Sequence, residues 1–230
     1  MFSDRKIKTE RFRIISDMGT EMYKRYLKRG IDFVIAFIGL ICASWLLLIT
    51  AILIKIDSPG SVLFKQERIG LNGKVFKIYK FRSMCVGAEK QGVYSDNHDA
   101  RVTRIGRIIR ATSIDELPQL FNILSGDMSL IGPRPPLTYH PWTYEEYTDE
   151  QKRMFEVRPG ITGWAQTHGR KDVEWHKRIE LNVWYVDNVS FLLDLKIFFV
   201  TIFKVLSNAD NENKGETAVR EVHKEDMTVK

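Results

Sequence analysis

Arg110 to Pro136 reads RATSIDELPQLFNILSGDMSLIGPRPP, and the punctuation of this stretch decides how the chain is organised. Leu117, Leu120, Phe121 and Leu124 recur at i, i+3, i+4 and i+7, the spacing of one apolar face of an α-helix. Pro118 suits only a first helical turn, where its missing N–H has no partner to lose, so the helix is expected to start at or just before Asp115. Ser125-Gly126 supplies the stop, and Gly132-Pro133-Arg134-Pro135-Pro136 is a rigid turn holding one cation. Capping explains most acids at a helix start, with Asp115 as N-cap or Ser113 and Glu116 as a capping box. The surroundings point further. A carboxylate pair between Arg110 and a proline-locked Arg134 has the parts of a phosphate site, with the acids on a metal ion and the arginines on phosphoryl oxygens.

A chain of 230 residues with 44% hydrophobic content buries one core of ordinary size. Its net charge of +6 favours anionic partners: nucleic acid, phosphate ligands or an anionic membrane surface. The two cysteines, Cys42 and Cys85, have no metal-site spacing and make no disulfide framework, which suits a reduced, cytoplasm-facing domain. His140, His168 and His176 likewise lack ligand spacing.

Residues 1–27 read as a basic N-terminal segment, 28–57 as a membrane-inserted helix, 58–206 as the folded domain that carries Asp115 and Glu116 and 207–230 as a polar, disordered tail. Phe33 to Ile54 carries no charge, and these 22 residues make a helix of about 33 Å, enough for a hydrocarbon core. It is too long and starts too late for a cleavable signal peptide. Both flanks are basic, Lys24–Arg29 before and Lys55, Lys65, Arg68, Lys74, Lys77 and Lys80 after. Cytoplasmic flanks carry such charge, so both ends are expected on one side. Asp32, just inside the apolar boundary, is expected to pair with Lys28 or Arg29.

Alternation in Val62–Arg68 and Val75–Phe81 around Asn72-Gly73 predicts a β-hairpin. Gly87 to Ala100 reads as a mobile polar loop. Arg101, Arg104, Arg107 and Arg110 recur at threes, a basic stripe if helical. Glu145, Glu146, Asp149 and Glu150 are placed on an exposed amphipathic helix, and Arg158–Gly163 on a second turn bringing a guanidinium and backbone N–H groups to a phosphate. Trp175–Asp187 reads as a helix, and Phe191–Leu206 as an interfacial or core helix too short and too charged to span. Trp164, Trp175, Trp184 and Tyr185 suit either a headgroup layer or the core.

SIDELPQLFNILSGDMSLIGPRPP, together with KFRSM at Lys80–Met84 and RPGITGWAQ at Arg158–Gln166, resembles the bacterial sugar transferase family, the monotopic polyprenyl-phosphate sugar-1-phosphate transferases. The resemblance runs from about Lys28 to Leu206. It implies an α+β, mostly helical fold: a re-entrant membrane helix followed by a small cytoplasmic domain with a β-hairpin and interfacial amphipathic helices. Family members break that helix at a Ser-Pro pair, where this chain has Ser44-Trp45.

The implied reaction transfers a sugar-1-phosphate from a UDP-sugar to polyprenyl phosphate, releasing UMP, at the inner membrane and its anionic lipids, with Mg²⁺ as cofactor. The catalytic pair falls on Asp115 and Glu116, which also form the metal-binding pair. Arg110, Arg134, Arg158, Lys80 and Arg82 are the phosphate- and nucleotide-binding candidates. Asp115, read at a helix N-terminus, is expected to stay ionised and attack phosphorus, while Glu116 assists. A homo-oligomer is compatible with the sequence. A non-catalytic scaffold of the same fold, or a tethered nucleic-acid binder using the arginine stripe, are the competing classes.

Overall fold

The computed structural model describes residues 19–88, 92, 99–168 and 175–207. The expected tail from residue 208, most of the Gly87–Ala100 loop and the first part of the basic segment lie outside them.

A π-helical turn, Tyr23–Leu27, runs into helix α1, Lys28–Asp57. At about 1.5 Å per residue its 30 residues extend about 45 Å. It is the one helix among the described residues long and apolar enough to cross a membrane. It passes through Ser44-Trp45 without interruption, and the Ser44 hydroxyl donates to the Ile41 carbonyl at 2.8 Å. Only Asp32, Ala36, Thr50 and Ile54 are buried along it, while Phe33, Phe37, Ile41, Trp45, Leu48 and Ile52 stand exposed.

The predicted hairpin is present. Strand β1, Leu63–Ile69, pairs antiparallel with β2, Val75–Phe81. Asn72 takes a left-handed φ of 52° and Gly73 a φ of 77°. A side chain at Gly73 would also meet the Tyr144 ring, its Cβ 2.6 Å away, so glycine is required on both counts.

Helix α2, Arg104–Ala111, is shorter than the arginine stripe. Arg101 precedes it and pairs with Asp99 at 2.6 Å, so the series does not form one helical ridge. Helix α3, Gln119–Ser125, starts four residues after Asp115 and ends on a left-handed Gly126. Its buried residues are Gln119, Leu120, Asn122 and Ile123, whereas Phe121 is exposed, so the predicted Leu117–Leu124 face is rotated. Strand β3, Ser129–Ile131, pairs in parallel with β4, Gly160–Thr162, giving the expected Arg158–Gly163 turn a strand at its centre.

The acids at 145–150 occupy two short turns, Tyr144–Glu146 and Asp149–Lys152, rather than one helix. Capping boxes at Thr143/Glu146 and Thr148/Gln151 restart the chain. Helices α4, Trp175–Asn188, and α5, Phe191–Leu206, match the sequence reading. Tyr185 is buried in the core, while Trp184 stays 42% exposed and stacks on Trp164. The fold is thus mostly helical with two small sheets.

One face of α1 is covered near both ends. Ala36 and Leu40 pack with Phe76, Ile78, Leu120 and Ile123; Leu47, Ala51 and Ile54 pack with Phe81, Ile105, Ile109 and Ile114. Polar bonds fix the same ends. Arg29 donates to the Ile123 and Leu124 carbonyls at the end of α3, and Asp57 accepts from the Ile105 amide at 3.1 Å. Asp32 makes no close ion pair with Lys28 or Arg29, the expected contact, although the Lys28 charge does act on it from further away. It accepts instead from the Ser129 hydroxyl at 2.6 Å and the Leu130 amide. Lys28 reaches Asp194 of α5 at 2.5 Å, where Tyr23 and Tyr185 also donate.

Candidate active site

The chain leaves α2 through Ser113, which takes a left-handed φ of 58°, and enters a single 3-10 turn, Ile114–Glu116. Asp115 and Glu116 lie on this turn, not at an α-helix N-terminus. Leu117 and Pro118 follow with i to i+3 bonds before α3 begins. Ser113 makes no side-chain cap bond, so neither capping arrangement accounts for the acids.

Across from this turn, β2 presents Lys80, whose ammonium donates to Glu116 Oε1 at 2.6 Å. Arg134 Nη2 stands 3.6 Å from the same oxygen. Burial pushes the Asp115 carboxyl up, to about 6; Lys80, Arg110 and Arg134 oppose that rise, and Glu116 adds to it. The expected benefit from a helix dipole is therefore replaced by desolvation. Above pH 6 the carboxylate still predominates. The structure thus brings Asp115, Glu116, Lys80, Arg110 and Arg134 to one place.

Arg82 and Arg158 are turned elsewhere. The Arg82 guanidinium, buried, donates to the Ser58 and Pro59 carbonyls and the Ser58 hydroxyl, closing the turn after α1. Arg158 Nε donates to the Gly126 carbonyl at 2.9 Å, at the C-terminal end of α3. Of the backbone N–H groups expected in that turn to face a phosphate, that of Gly160 is engaged, donating to the Pro133 carbonyl.

Two side chains that the sequence reading gave no place in the site hold the cluster in register. Asn122, fully buried in α3, receives the Tyr79 amide on Oδ1 at 2.9 Å and donates from Nδ2 to the Lys77 carbonyl at 2.8 Å. This amide spans the β2 backbone on the N-terminal side of Lys80 and so ties the lysine's strand to the helix behind Glu116. The signal was a lone polar residue inside the apolar run LFNIL. Arg68 of β1 is the other; its Nη1 donates to the Pro135 carbonyl at 3.0 Å, one residue beyond Arg134.

The proline turn is pinned by its carbonyls. Pro133 accepts from the Gly160 amide, Pro135 from Arg68 and Pro136 from the Ile69 amide. A Cβ at Gly132 would lie 2.4 Å from the Arg158 carbonyl oxygen, so the approach of β3 to β4 excludes any larger residue there. Arg134 thus projects from a rigid base toward the carboxylates.

No group of three or more potential metal-ligating acids, histidines or cysteines occurs among the described residues. Asp115 and Glu116 form a two-carboxylate set. That is the set Mg²⁺ uses when substrate phosphates and waters complete its octahedron.

Residues 23–208 match the family described as bacterial sugar transferase. The chain is 50% identical over 181 residues to a Bacillus subtilis protein named uncharacterized sugar transferase EpsL, covering 78% of this chain and 87% of that one. It is 45% identical to an Aeromonas hydrophila UDP-N-acetylgalactosamine-undecaprenyl-phosphate N-acetylgalactosaminephosphotransferase, over 79% of this chain and 44% of the relative. An Escherichia coli UDP-glucose:undecaprenyl-phosphate glucose-1-phosphate transferase is 40% identical, over 80% and 41%. The chain therefore spans less than half the length of the last two.

Proposed function

This chain belongs to the bacterial sugar transferase family, and from that membership and the geometry around Asp115 we propose that it transfers a sugar-1-phosphate from a UDP-sugar to polyprenyl phosphate. The observation that carries the reading is the carboxylate pair set among Lys80, Arg110 and Arg134. Asp115 attacks the phosphorus that bears the sugar; an O–P bond forms, the diphosphate bridge breaks, and UMP leaves with the bridging electron pair. An oxygen of polyprenyl phosphate then attacks the same phosphorus, expelling the Asp115 carboxylate and giving polyprenyl-diphosphate-sugar.

Arg134 and Arg110 bind phosphoryl oxygens, and Lys80 orients Glu116. Asp115 and Glu116 would hold Mg²⁺, which when bound neutralises charge on the diphosphate. The test is purified protein with polyprenyl phosphate, Mg²⁺ and a panel of UDP-sugars, scored by UMP release. A protein that releases none is a scaffold of the same fold.

Arg134 offers a graded check, since a charge-assisted hydrogen bond is worth about 1.5–3 kcal/mol, or roughly 10- to 150-fold. Arg134→Ala should lose that much in kcat/KM. Arg134→Lys keeps the charge without the planar fork and should recover only part. Wild-type turnover in Arg134→Ala would remove the residue from the site.

Membrane topology follows from α1. One globular body binds Arg29 and Asp57, so both ends of the helix belong on the cytoplasmic side of the inner membrane. The uncovered face, Phe37, Ile41, Trp45 and Leu48, enters the lipid, and the exposed Leu192, Phe199 and Phe203 of α5 lie in the interface. Cysteines placed by Ser3→Cys and Ser207→Cys, in a background without Cys42 and Cys85, should both resist an impermeant thiol reagent on intact cells. Labelling of Ser3→Cys alone would show a spanning helix.

A further inference from the structure

Arg68 is a cation whose hydrogen-bond partners are neutral. Nη1 meets the Pro135 carbonyl at 3.0 Å and Nη2 the Gln66 side-chain oxygen at 2.7 Å, while Nε is buried without a partner. Bracing the proline turn does not by itself call for charge, because a neutral amide side chain can donate to a carbonyl equally well. Placing a guanidinium in a desolvated position is costly unless an anion offsets it.

Among the described carboxylates, Glu116 is the one whose charge acts on Arg68, and Lys80 and Arg134 already contact it. Burial pushes the Arg68 guanidinium down, Arg134 pushes it the same way, and Glu116 and Tyr139 oppose them. Lys80, Arg68, Arg110 and Arg134 make four cations beside two carboxylates, so this set carries an excess of two positive charges. Through the Pro135 carbonyl, which it holds at 3.0 Å, Arg68 stands one residue along the turn from Arg134.

We infer that Arg68 binds phosphoryl oxygens of the donor's diphosphate from behind Arg134, as a fourth cation of the site. A nucleoside diphosphate ester brings about two negative charges to this cationic set, and its phosphoryl oxygens accept forked guanidinium donors. The inference rests on the UDP-sugar reading above and adds to it which side chains hold the diphosphate.

Two variants test it, with UDP affinity measured directly by calorimetry as well as by inhibition of the donor half-reaction. Arg68→Met should weaken UDP binding and raise the donor KM by roughly 10- to 150-fold, leaving the KM for polyprenyl phosphate unchanged. Arg68→Lys should restore part of the affinity and, with its charge retained, should also fold should the methionine variant not. Wild-type affinity for UDP in either variant overturns the inference, and so does a loss from Arg68→Met that vanishes in an Arg134→Ala background, which would reduce Arg68 to a brace of Arg134. So does a change confined to the polyprenyl phosphate KM, which would give the residue to the acceptor. Absence of UMP release from the wild-type protein would instead sink the donor reading, and the UDP titration would still report on Arg68.

Discussion

Asp115→Asn is expected to abolish UMP release from a UDP-sugar supplied without lipid. The wild-type protein, attacking through Asp115, should release up to one equivalent of UMP before any polyprenyl phosphate is added, because the first transfer needs only the donor. A neutral amide of the same shape is a poor nucleophile, and loss of a nucleophile costs on the order of 10³-fold or more. Quenched wild-type enzyme should carry the sugar phosphate on the peptide containing Asp115. Mass on Glu116 would reverse the two roles, and strict dependence of UMP release on lipid would replace the covalent route with direct transfer. Asp115 suits the part because burial holds its carboxyl near 6: the anion predominates at neutral pH, yet is less well solvated than a surface carboxylate.

The second large effect is on stability. Asp194 is 4% exposed and accepts from Lys28, Tyr23 and Tyr185 at 2.5, 2.6 and 2.7 Å, joining α5 and α4 to the base of α1. Asp194→Ala leaves the Lys28 ammonium and the Tyr23 hydroxyl without their acceptor, and the Tyr185 hydroxyl with only the Ile131 carbonyl at 3.3 Å. Breaking one side of such a pair costs about 3–5 kcal/mol. Unfolding of the detergent-solubilised variant should therefore shift to markedly lower temperature. Removing both charges, in Lys28→Met with Asp194→Ala, should be less destabilising than the sum of the single changes. A single variant with wild-type stability would mean the cluster is solvated in the native protein.

Much of the framework was legible in the sequence because local patterns specify it. An uncharged run from Phe33 to Ile54 allows little but a helix, and Asn72-Gly73 between alternating segments allows little but a hairpin. Asp115, Glu116, Arg110 and Arg134 were readable as a group from one stretch of sequence, and the family resemblance added Lys80 together with Arg82 and Arg158. The rest depended on contacts far apart in sequence. Arg82 and Arg158 look like phosphate ligands on paper, yet the carbonyls of Ser58 and Gly126 take their guanidiniums. Asn122 and Arg68 look like fillers, yet one spans a strand 43 residues away and the other reaches a carbonyl 67 residues away. The helix start slipped because Ser113 and Pro118 tolerate a 3-10 turn, a choice between two short geometries that periodicity does not resolve.

The seating of the carboxylate turn on α1 bears on how the second substrate arrives. Ile114, next to Asp115, packs in the cluster formed by Ile54 and Leu47 of that helix, while Leu120 of α3 meets the helix further toward its start, 3.4 Å from where a side chain on Gly39 would begin. On the topology proposed above, which puts the opposite face of α1 in lipid, the height of Asp115 above the hydrocarbon is set by a single element acting as a depth gauge. A polyprenyl phosphate drifting in the leaflet carries its phosphate at one level as well. Their meeting is then a search in a plane, with no lifting of the lipid out of the bilayer, and a few ångströms' change in the bulk of the Ile114 or Leu120 contact would put the two out of step.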